Sequence, residues 1–193
     1  VQSWEEGIFL NTLAKTWSPQ EKIKLGEILF SNFIQDFIQH GFVQGDTNHG
    51  NYLFRKNQTS QIEVVCLDFG NCFEIPKEFR LSFLKLFFVV TNQEDVDPLD
   101  LLCLMGFDDK KLMHLHQQIP QLVNIILTPF TSQYPYHLKN WNLKESVDKC
   151  LGEYKWWFRS AGSILFFKLM KSFLGVMQQI ETLDVALNFQ FVA

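Results

Sequence analysis

Cysteine is scarce in this sequence, and its spacing does not suggest a metal site. Four cysteines occur in 193 residues, with no C-x-x-C pair or other zinc-type pattern among them. Isolated cysteines of this kind are typical of reduced, mostly buried thiols in an intracellular reducing compartment. We expect that state for Cys66, Cys72, Cys103 and Cys150.

Basic clusters and long apolar runs are also absent. The net charge is -4, and no segment is dense in Lys and Arg. This pattern argues against nucleic acid as a partner, because phosphate binding requires concentrated positive charge. The apolar runs at residues 87–90 and 164–167 are much shorter than the ~18 residues that a membrane span needs. The sequence therefore predicts no transmembrane span.

Phenylalanine, in contrast, is abundant. The chain contains 20 Phe, and its hydrophobic content of 47% and charged content of 20% are those of an ordinary globular protein. A length of 193 residues suffices for one domain with a core, or for a core with a helical extension. We expect a core built heavily from aromatic side chains.

Helix signals dominate most of the chain. Ser18, Pro19 and Glu21 form a capping-box start, apolar residues then recur every three or four positions, and Gly41 ends this long helix. From Pro76 onward almost every segment indicates a helix. The predicted elements are helices from residue 76, from 97 to 106 and from about 108 until Pro120 bends or ends it, a loop over 128–137, and two or three helices after residue 143.

Between these helical regions lies a segment of short strands and loops. Residues 41–50 indicate a loop, 51–54 a short strand, 55–61 a polar turn and 62–67 a β-branched strand. Together they predict a small hairpin with a loop on either side. The predicted fold class is mainly α, of α+β type: a helical bundle with a short β-hairpin.

The two loops beside the predicted hairpin carry the side chains suited to phosphoryl transfer. Asp46 and Asn51 precede the hairpin with the D-x-x-x-x-N spacing of a kinase catalytic loop, and Asp68 begins an Asp-Phe-Gly triplet after it. Mg²⁺ prefers oxygen ligands, so Asn51 and Asp68 are the predicted metal ligands. Asp46 is the predicted catalytic residue, which receives or orients the nucleophile. Because a hairpin returns the chain, both loops are predicted to face one site.

The same segments resemble the UbiB/ADCK family of atypical kinases. Residues 41–51, GFVQGDTNHGN, are similar to that family's signature GFFHADPHPGN, and the triplet at 68–70 matches. Residues 75–80, 93–95 and 104–107 resemble the segments that follow in the family. Ser3, Trp4, Glu5, Glu6 and Gly7 resemble its hinge strand. The likeness covers residue 3 to about residue 107.

This resemblance implies the C-terminal lobe of a protein-kinase-like fold. It implies ATP and Mg²⁺ as cofactors, kinase or ATPase activity, and a role in ubiquinone or other prenyl-lipid metabolism at a membrane surface, bacterial or mitochondrial. It also implies nucleotide contacts from the hinge residues Glu5, Glu6 and Gly7, and from Gly70. Residues 1–127 would form the kinase-like core and residues 128–193 a helical extension of the same domain.

Several family features are not found in these 193 residues. They contain no Lys-x-Gly-Gln motif, no nucleotide-binding Lys on a strand and no small-residue phosphate loop. In the family these features belong to an N-terminal lobe, which we expect to precede Val1. Since a Lys and a phosphate cradle are standard parts of such a site, we expect this chain alone to bind Mg-ATP weakly and to be inactive.

Two other functions are compatible with the same residues. An aminoglycoside- or choline-type phosphotransferase has a similar H-G-D-x-x-x-x-N and Asp-Phe-Gly layout, which Gly45 suits and Gln44 does not. A catalytically silent pseudokinase that acts as a binding module is the other, because the family's loop prolines are replaced by Thr47 and His49. His49 is a candidate accessory residue for contact with phosphate or Asp46. The aromatic stretch 154–159 suits either helix packing or a membrane-interface belt.

Overall fold

The computed structural model describes residues 4–91 and 95–189 and is mainly helical, as predicted. Three residues that contributed to the family resemblance, Ser3, Gln93 and Glu94, lie outside the described part. The chain divides into two compact units: the residues up to Glu74 with Leu169–Leu187, and Ile75–Lys168 with the segment after Leu187. These units do not separate at residue 127, and the division into a kinase-like core and an extension stays a prediction.

The first unit begins with two helices and four short strands. In chain order the elements are α1 (Leu10–Thr16), α2 (Pro19–Ile34), a π-helical continuation of α2 (Gln35–His40), β1 (Phe42–Gln44), a 3-10 turn (His49–Asn51), β2 (Tyr52–Lys56), β3 (Ile62–Cys66) and β4 (Cys72–Glu74).

The long helix predicted between Ser18 and Gly41 is confirmed. The Ser18 side chain accepts from the Glu21 N–H, and the Glu21 side chain accepts from the Ser18 N–H, which completes the capping box. Gly41 ends the helix with a left-handed φ of 67°, a conformation that glycine adopts without steric cost. One face carries the buried side chains Leu25, Leu29, Phe33 and Phe37.

Two strand pairs follow, of which the sequence predicted one. The hairpin is confirmed: β2 pairs antiparallel with β3, with Tyr52 opposite Cys66 and Lys56 opposite Ile62. Arg55 and Lys56 therefore lie in a strand and not in the predicted turn. The prediction of a loop over residues 41–50 was wrong in part, because β1 pairs antiparallel with β4 and places Gln44 opposite Cys72.

The second unit is built from helices. Its elements are α3 (Lys77–Val90), α4 (Pro98–Leu104), α5 (Asp109–Leu112), a 3-10 turn (Met113–Leu115), α6 (Ile119–Thr131), β5 (Tyr136–His137), a 3-10 turn (Leu138–Asn140), α7 (Leu143–Leu151), a 3-10 turn (Gly152–Tyr154), α8 (Lys155–Ala161) and the beginning of α9 (Ile164–Thr182). From Leu169 onward α9 belongs to the first unit, which ends with β6 (Ala186–Leu187).

Two prolines act differently from their predicted roles. Pro120 lies in the first turn of α6, where its missing N–H costs nothing, so it begins this helix and does not end the previous one. Pro129 lies inside α6, which continues to Thr131 through part of the predicted loop. Pro129 cannot donate to the carbonyl of Ile125, but the indole N–H of Trp141 donates to that oxygen at 2.9 Å. This substitute donor explains how the helix tolerates the proline.

Aromatic packing fills the interior of the second unit, as the Phe content predicts. The ring of Phe107 lies edge-on to Phe166 with centroids 4.8 Å apart, and Phe158 packs against Phe107 at 5.6 Å. Such pairs add to the stabilisation that apolar burial provides. Within the described ranges, no single helix is long and apolar enough to cross a membrane. One bent pair, Leu138–Ala161 with Ile164–Thr182, passes that test by length and composition only.

Replacing Glu21 by Gln should make the stability of this fold less dependent on pH. The Lys56 ammonium, with the capping contacts to Ser18, lowers the pKa of Glu21 from 4.5 to about 2. Because this pKa is lower in the folded state, the ionised carboxylate stabilises the fold at pH values above its ordinary pKa of 4.5. This stabilisation is lost as the pH falls towards 2. We expect Glu21→Gln, which preserves the capping box, to be less stable than the wild type at neutral pH. Urea unfolding between pH 7 and pH 2 should show this difference shrinking as pH falls.

The matched control is Glu27→Gln on the same helix. Glu27 pairs at 3.4 Å with exposed Lys24, a contact of the kind that contributes little. An equal pH response in both variants would contradict the role given to the Lys56–Glu21 pair.

Candidate active site

Both predicted site loops lie between the same two strand pairs. The first loop, residues 45–51, connects β1 to β2, and the second loop, residues 67–71, connects β3 to β4. The Gly45 N–H donates to the Asn71 carbonyl at 2.8 Å, and the Leu67 N–H donates to the Asn51 carbonyl at 2.9 Å. Because β1 pairs with β4 and β2 with β3, the loops are held side by side at both ends.

Asp46 and Asn51 contact each other directly within the first loop. The Asn51 amide nitrogen Nδ2 donates to the Asp46 carboxylate oxygen Oδ2 at 2.9 Å and to the Asp46 carbonyl at 3.0 Å. The 3-10 turn makes this geometry possible, since it brings the Asn51 N–H to the Asn48 carbonyl at 2.9 Å. The spacing of the two residues thus closes a compact loop in which the Asp46 carboxylate has a fixed orientation.

Gln44 connects this loop to the one that carries Asp68. Its side-chain oxygen accepts from the Asp46 N–H at 2.7 Å, and its side-chain nitrogen donates to the Asp68 carbonyl. One neutral side chain therefore spans both loops at the end of β1. Sequence reasoning missed this role and used Gln44 only as an argument against a phosphotransferase. The bridge depends on the pairing of β1 with β4, for which the sequence carried no signal.

Asp68 itself is exposed and shapes its own turn. Its oxygen Oδ1 accepts from the Gly70 N–H at 2.7 Å, so the predicted site residue Gly70 serves here to orient the carboxylate. The neighbouring Phe69 is 66% exposed. The structure therefore brings Asp46, Asn51 and Asp68 to one pair of loops, with Gln44 between them.

Burial raises the pKa of two groups beside the loops, Tyr52 and Cys72, both of which are already neutral near pH 7. Burial raises the pKa of Tyr52, and the charges of Cys66 and Asp46 raise it further. Burial, followed by the influence of Cys66, likewise raises the pKa of the Cys72 thiol. These groups do not add negative charge near neutral pH, which leaves the carboxylates as the acidic groups that the loops offer to a cation.

The oxygen donors of the two loops fit a hard divalent cation. Asn51 uses its nitrogen to hold Asp46 and Asp68 uses Oδ1 to hold Gly70, which leaves the Asn51 amide oxygen and Asp68 Oδ2 for a metal. In the described part of the chain, no group of three His, Cys, Asp or Glu side chains is placed to hold a metal by itself. Mg²⁺ matches such a sparse donor set, because it usually binds through one or two carboxylates plus substrate phosphates.

The predicted hinge residues lie beside β2. Ile8 and Phe54 exchange two backbone hydrogen bonds of 2.9 Å, which anchors the segment next to Gly7 on the strand edge. The Arg55 guanidinium donates to the Glu5 carboxylate at 2.8 Å and to the Glu6 carbonyl at 3.2 Å. Arg55 also binds Glu63 across the hairpin at 2.8 Å. The segment is thus attached to the hairpin that carries the site loops.

The structure also shows the environment of His49 and of the aromatic stretch at residues 154–159. His49 is half-buried in the 3-10 turn of the first loop. In the aromatic stretch at residues 154–159, Phe158 is buried, whereas Trp156 is 69% exposed under the Arg159 guanidinium. Trp157 stacks on His114 with ring centroids 4.0 Å apart. The stretch therefore contributes both to packing and to the surface.

Comparison with known families identifies this arrangement. Residues 1–98 match the ABC1 atypical kinase-like domain, and the chain therefore belongs to that family of atypical kinases. The resemblance to UbiB/ADCK proteins is confirmed by this match. The matched region contains both site loops and the hinge segment. No curated protein sequence matches the chain.

Proposed function

We propose that this chain provides the magnesium site and the catalytic carboxylate of an ATP-dependent atypical kinase or ATPase. The observation that carries the proposal is the pair of loops held side by side, with Gln44 bridging Asp46 and Asp68. Membership of an atypical kinase family supports phosphoryl transfer over other uses of such a site. It also favours this function over an aminoglycoside- or choline-type phosphotransferase.

Each site residue has a distinct proposed role. Asn51 and Asp68 would hold Mg²⁺ through their remaining oxygens, and the ion would supply positive charge against the phosphates of ATP. Asp46 accepts the proton of the attacking hydroxyl or water, or orients that nucleophile, while Asn51 fixes its carboxylate. His49, in the same loop, is proposed as an accessory contact to phosphate.

Nucleotide binding is proposed to involve the segment on the edge of β2. Glu5, Glu6 and Gly7 would contribute backbone groups to adenine, with Arg55 holding the segment in place. Gly70 would allow phosphate to approach the second loop closely. We further propose that an N-terminal lobe supplies the Lys and the phosphate cradle that complete such a site.

The biological role proposed from the family is support of ubiquinone or other prenyl-lipid metabolism at a membrane surface. The exposed Trp156 and the adjacent Arg159 suit an interfacial region, where amphipathic rings and cations are favoured. This part of the proposal does not depend on the chemistry of the two loops.

Binding of ATP to the native protein should require a divalent cation. Calorimetric titration with ATP in Mg²⁺ and again in EDTA should show a loss of affinity of ~10-fold or more without the metal, since a bridging cation offsets repulsion between phosphates and carboxylates. Equal affinity in both conditions would contradict the metal site. Binding of ATP without turnover in Mg²⁺ would instead indicate the silent binding module.

A further inference from the structure

The first site loop rests on helix α9 through Thr47, the residue directly after Asp46. The Thr47 carbonyl accepts from the Gln179 side-chain nitrogen at 2.9 Å, and the Thr47 hydroxyl donates to the Ser172 carbonyl at 3.3 Å. Thr47, Ser172 and Gln179 are all buried. All these residues belong to the first unit. The loop therefore has a polar support that lies far away in sequence.

Burial of the Gln179 side chain carries a free-energy cost, because one of its polar atoms is unpaired. Only 1% of it is exposed, and among the described residues its oxygen Oε1 has no hydrogen-bond partner. The penalty for an unpaired buried polar atom equals or exceeds the gain from one hydrogen bond. An apolar side chain of similar size would avoid this unpaired oxygen, but it would leave the Thr47 carbonyl without its donor. What Gln179 adds is a directed N–H donor to the loop backbone.

Gly175 brings the helix close enough for this contact. A Cβ at position 175 would lie 2.9 Å from the Thr47 Cβ and would overlap its hydroxyl. Glycine in a helix interior is normally unfavourable relative to alanine. The close approach of Thr47 gives this glycine a physical reason, and it means that the loop has little room to shift against the helix.

We propose that Gln179 and Gly175 are positioning residues that fix the backbone of Thr47 and thereby the carboxylate of Asp46. This inference rests on the proposed function for its catalytic consequence, because Asp46 and Asn51 act only when the loop has its closed geometry. Its structural part, the control of the loop by α9, is independent of that function.

The first test replaces Gln179 by Leu in the native protein. Without the donor, amide exchange in residues 46–51 should become faster by roughly tenfold, as expected when a buried carbonyl loses its partner. The kcat for ATP turnover should fall by a similar factor and KM should change less, because Asp68 and the proposed hinge contacts lie outside the affected loop. Gln179→Met, with an unbranched side chain of similar length, repeats the test if the Leu variant does not fold.

Ser172→Ala is the matched control. It changes a buried polar side chain on the same helix but retains the Ser172 carbonyl that accepts from Thr47. Amide exchange in residues 46–51 should stay close to that of the wild type. If the Gln179 variants affect the loop no more than Ser172→Ala does, or speed up exchange equally throughout the unit, Gln179 is a structural residue and the inference is wrong.

The second test is Gly175→Ala. Helix propensity alone predicts a higher melting temperature, whereas contact with Thr47 predicts a lower one together with faster exchange in the loop. In a Thr47→Ala background the same change should cost less, since the overlapping hydroxyl is gone. A more stable Gly175→Ala protein with unchanged loop exchange would overturn the inference. Faster loop exchange in the Gln179 and Gly175 variants, in a protein whose wild type neither binds nor hydrolyses ATP, would support the structural part of the inference and refute the proposed function.

Discussion

Replacing Asp68 by Asn should lower ATP turnover by the native protein by ~10²–10³, the usual cost of losing one preorganised charge-stabilising group. The substitution retains an oxygen that accepts from the Gly70 N–H, so the turn should persist. It removes the negative charge that binds Mg²⁺, so the defect should be largest at limiting metal. Turnover measured over a range of Mg²⁺ concentrations, with a thermal melt of each variant, checks this prediction.

The matched controls are Asp100→Asn and substitutions of Cys103 and Cys150, which lie outside the two site loops and their strands. Asp100 is an exposed acid in the first turn of α4, and losing its charge should affect stability slightly and turnover little. Cys103 or Cys150 changed to Ala should mainly affect stability. Cys66 contacts the Asp68 carbonyl at 3.5 Å, so its replacement should also cost some turnover, though less than Asp68→Asn. Asn51→Ala should be intermediate, because water can partly replace a neutral ligand. If Asp68→Asn kept near-wild-type turnover at limiting Mg²⁺, the metal role proposed for Asp68 would be wrong.

Local signals predicted the parts of the fold that depend on neighbouring residues. The capping box at Ser18 and Glu21 and the end at Gly41 identify the long helix, because each acts within one helical turn. The hairpin of β2 and β3 is equally local. Strand β1 was missed because its three residues pair with β4 beyond the hairpin, and no periodicity develops over so short a segment. The roles of the two prolines of α6 were predicted wrongly because proline occurs both in the first turn of a helix and in the loops between helices.

The site follows the same division between local and distant contacts. Asp46, Asn51 and Asp68 were predicted from spacing, since a hairpin necessarily returns its two flanking loops to one place. The bridge by Gln44 requires β1 and β4 to be paired, which the sequence did not indicate. The support from Gln179 joins two residues that are 132 positions apart and has no sequence signature. The side-chain contacts that depend on tertiary packing are therefore the features of the site that could not be predicted from the sequence.

Replacing Asp46 by Asn should lower kcat by ~10²–10⁴, the usual contribution of a positioned general base. The new amide oxygen can still accept from the Asn51 side chain, so the loop should keep its closed form. Only the proton acceptor is lost. Because Asp46 acts on the nucleophile and not on the nucleotide, the KM for ATP should change little. Steady-state kinetics with ATP varied at saturating Mg²⁺ separate the two constants.

Asp46→Ala distinguishes the base from its role in holding the loop. This change also leaves the Asn51 amide without its carboxylate partner, so it should weaken Mg-ATP binding in addition to lowering kcat. Asn48→Ala is the control within the loop: it removes an acceptor for the Gly50 N–H, a 3.0 Å contact, but neither proposed metal ligand nor the base. We expect its effect on kcat to be the smallest of the three. Full kcat in Asp46→Asn would exclude Asp46 as the base, whereas equal losses in all three variants would mean that only the shape of the loop matters.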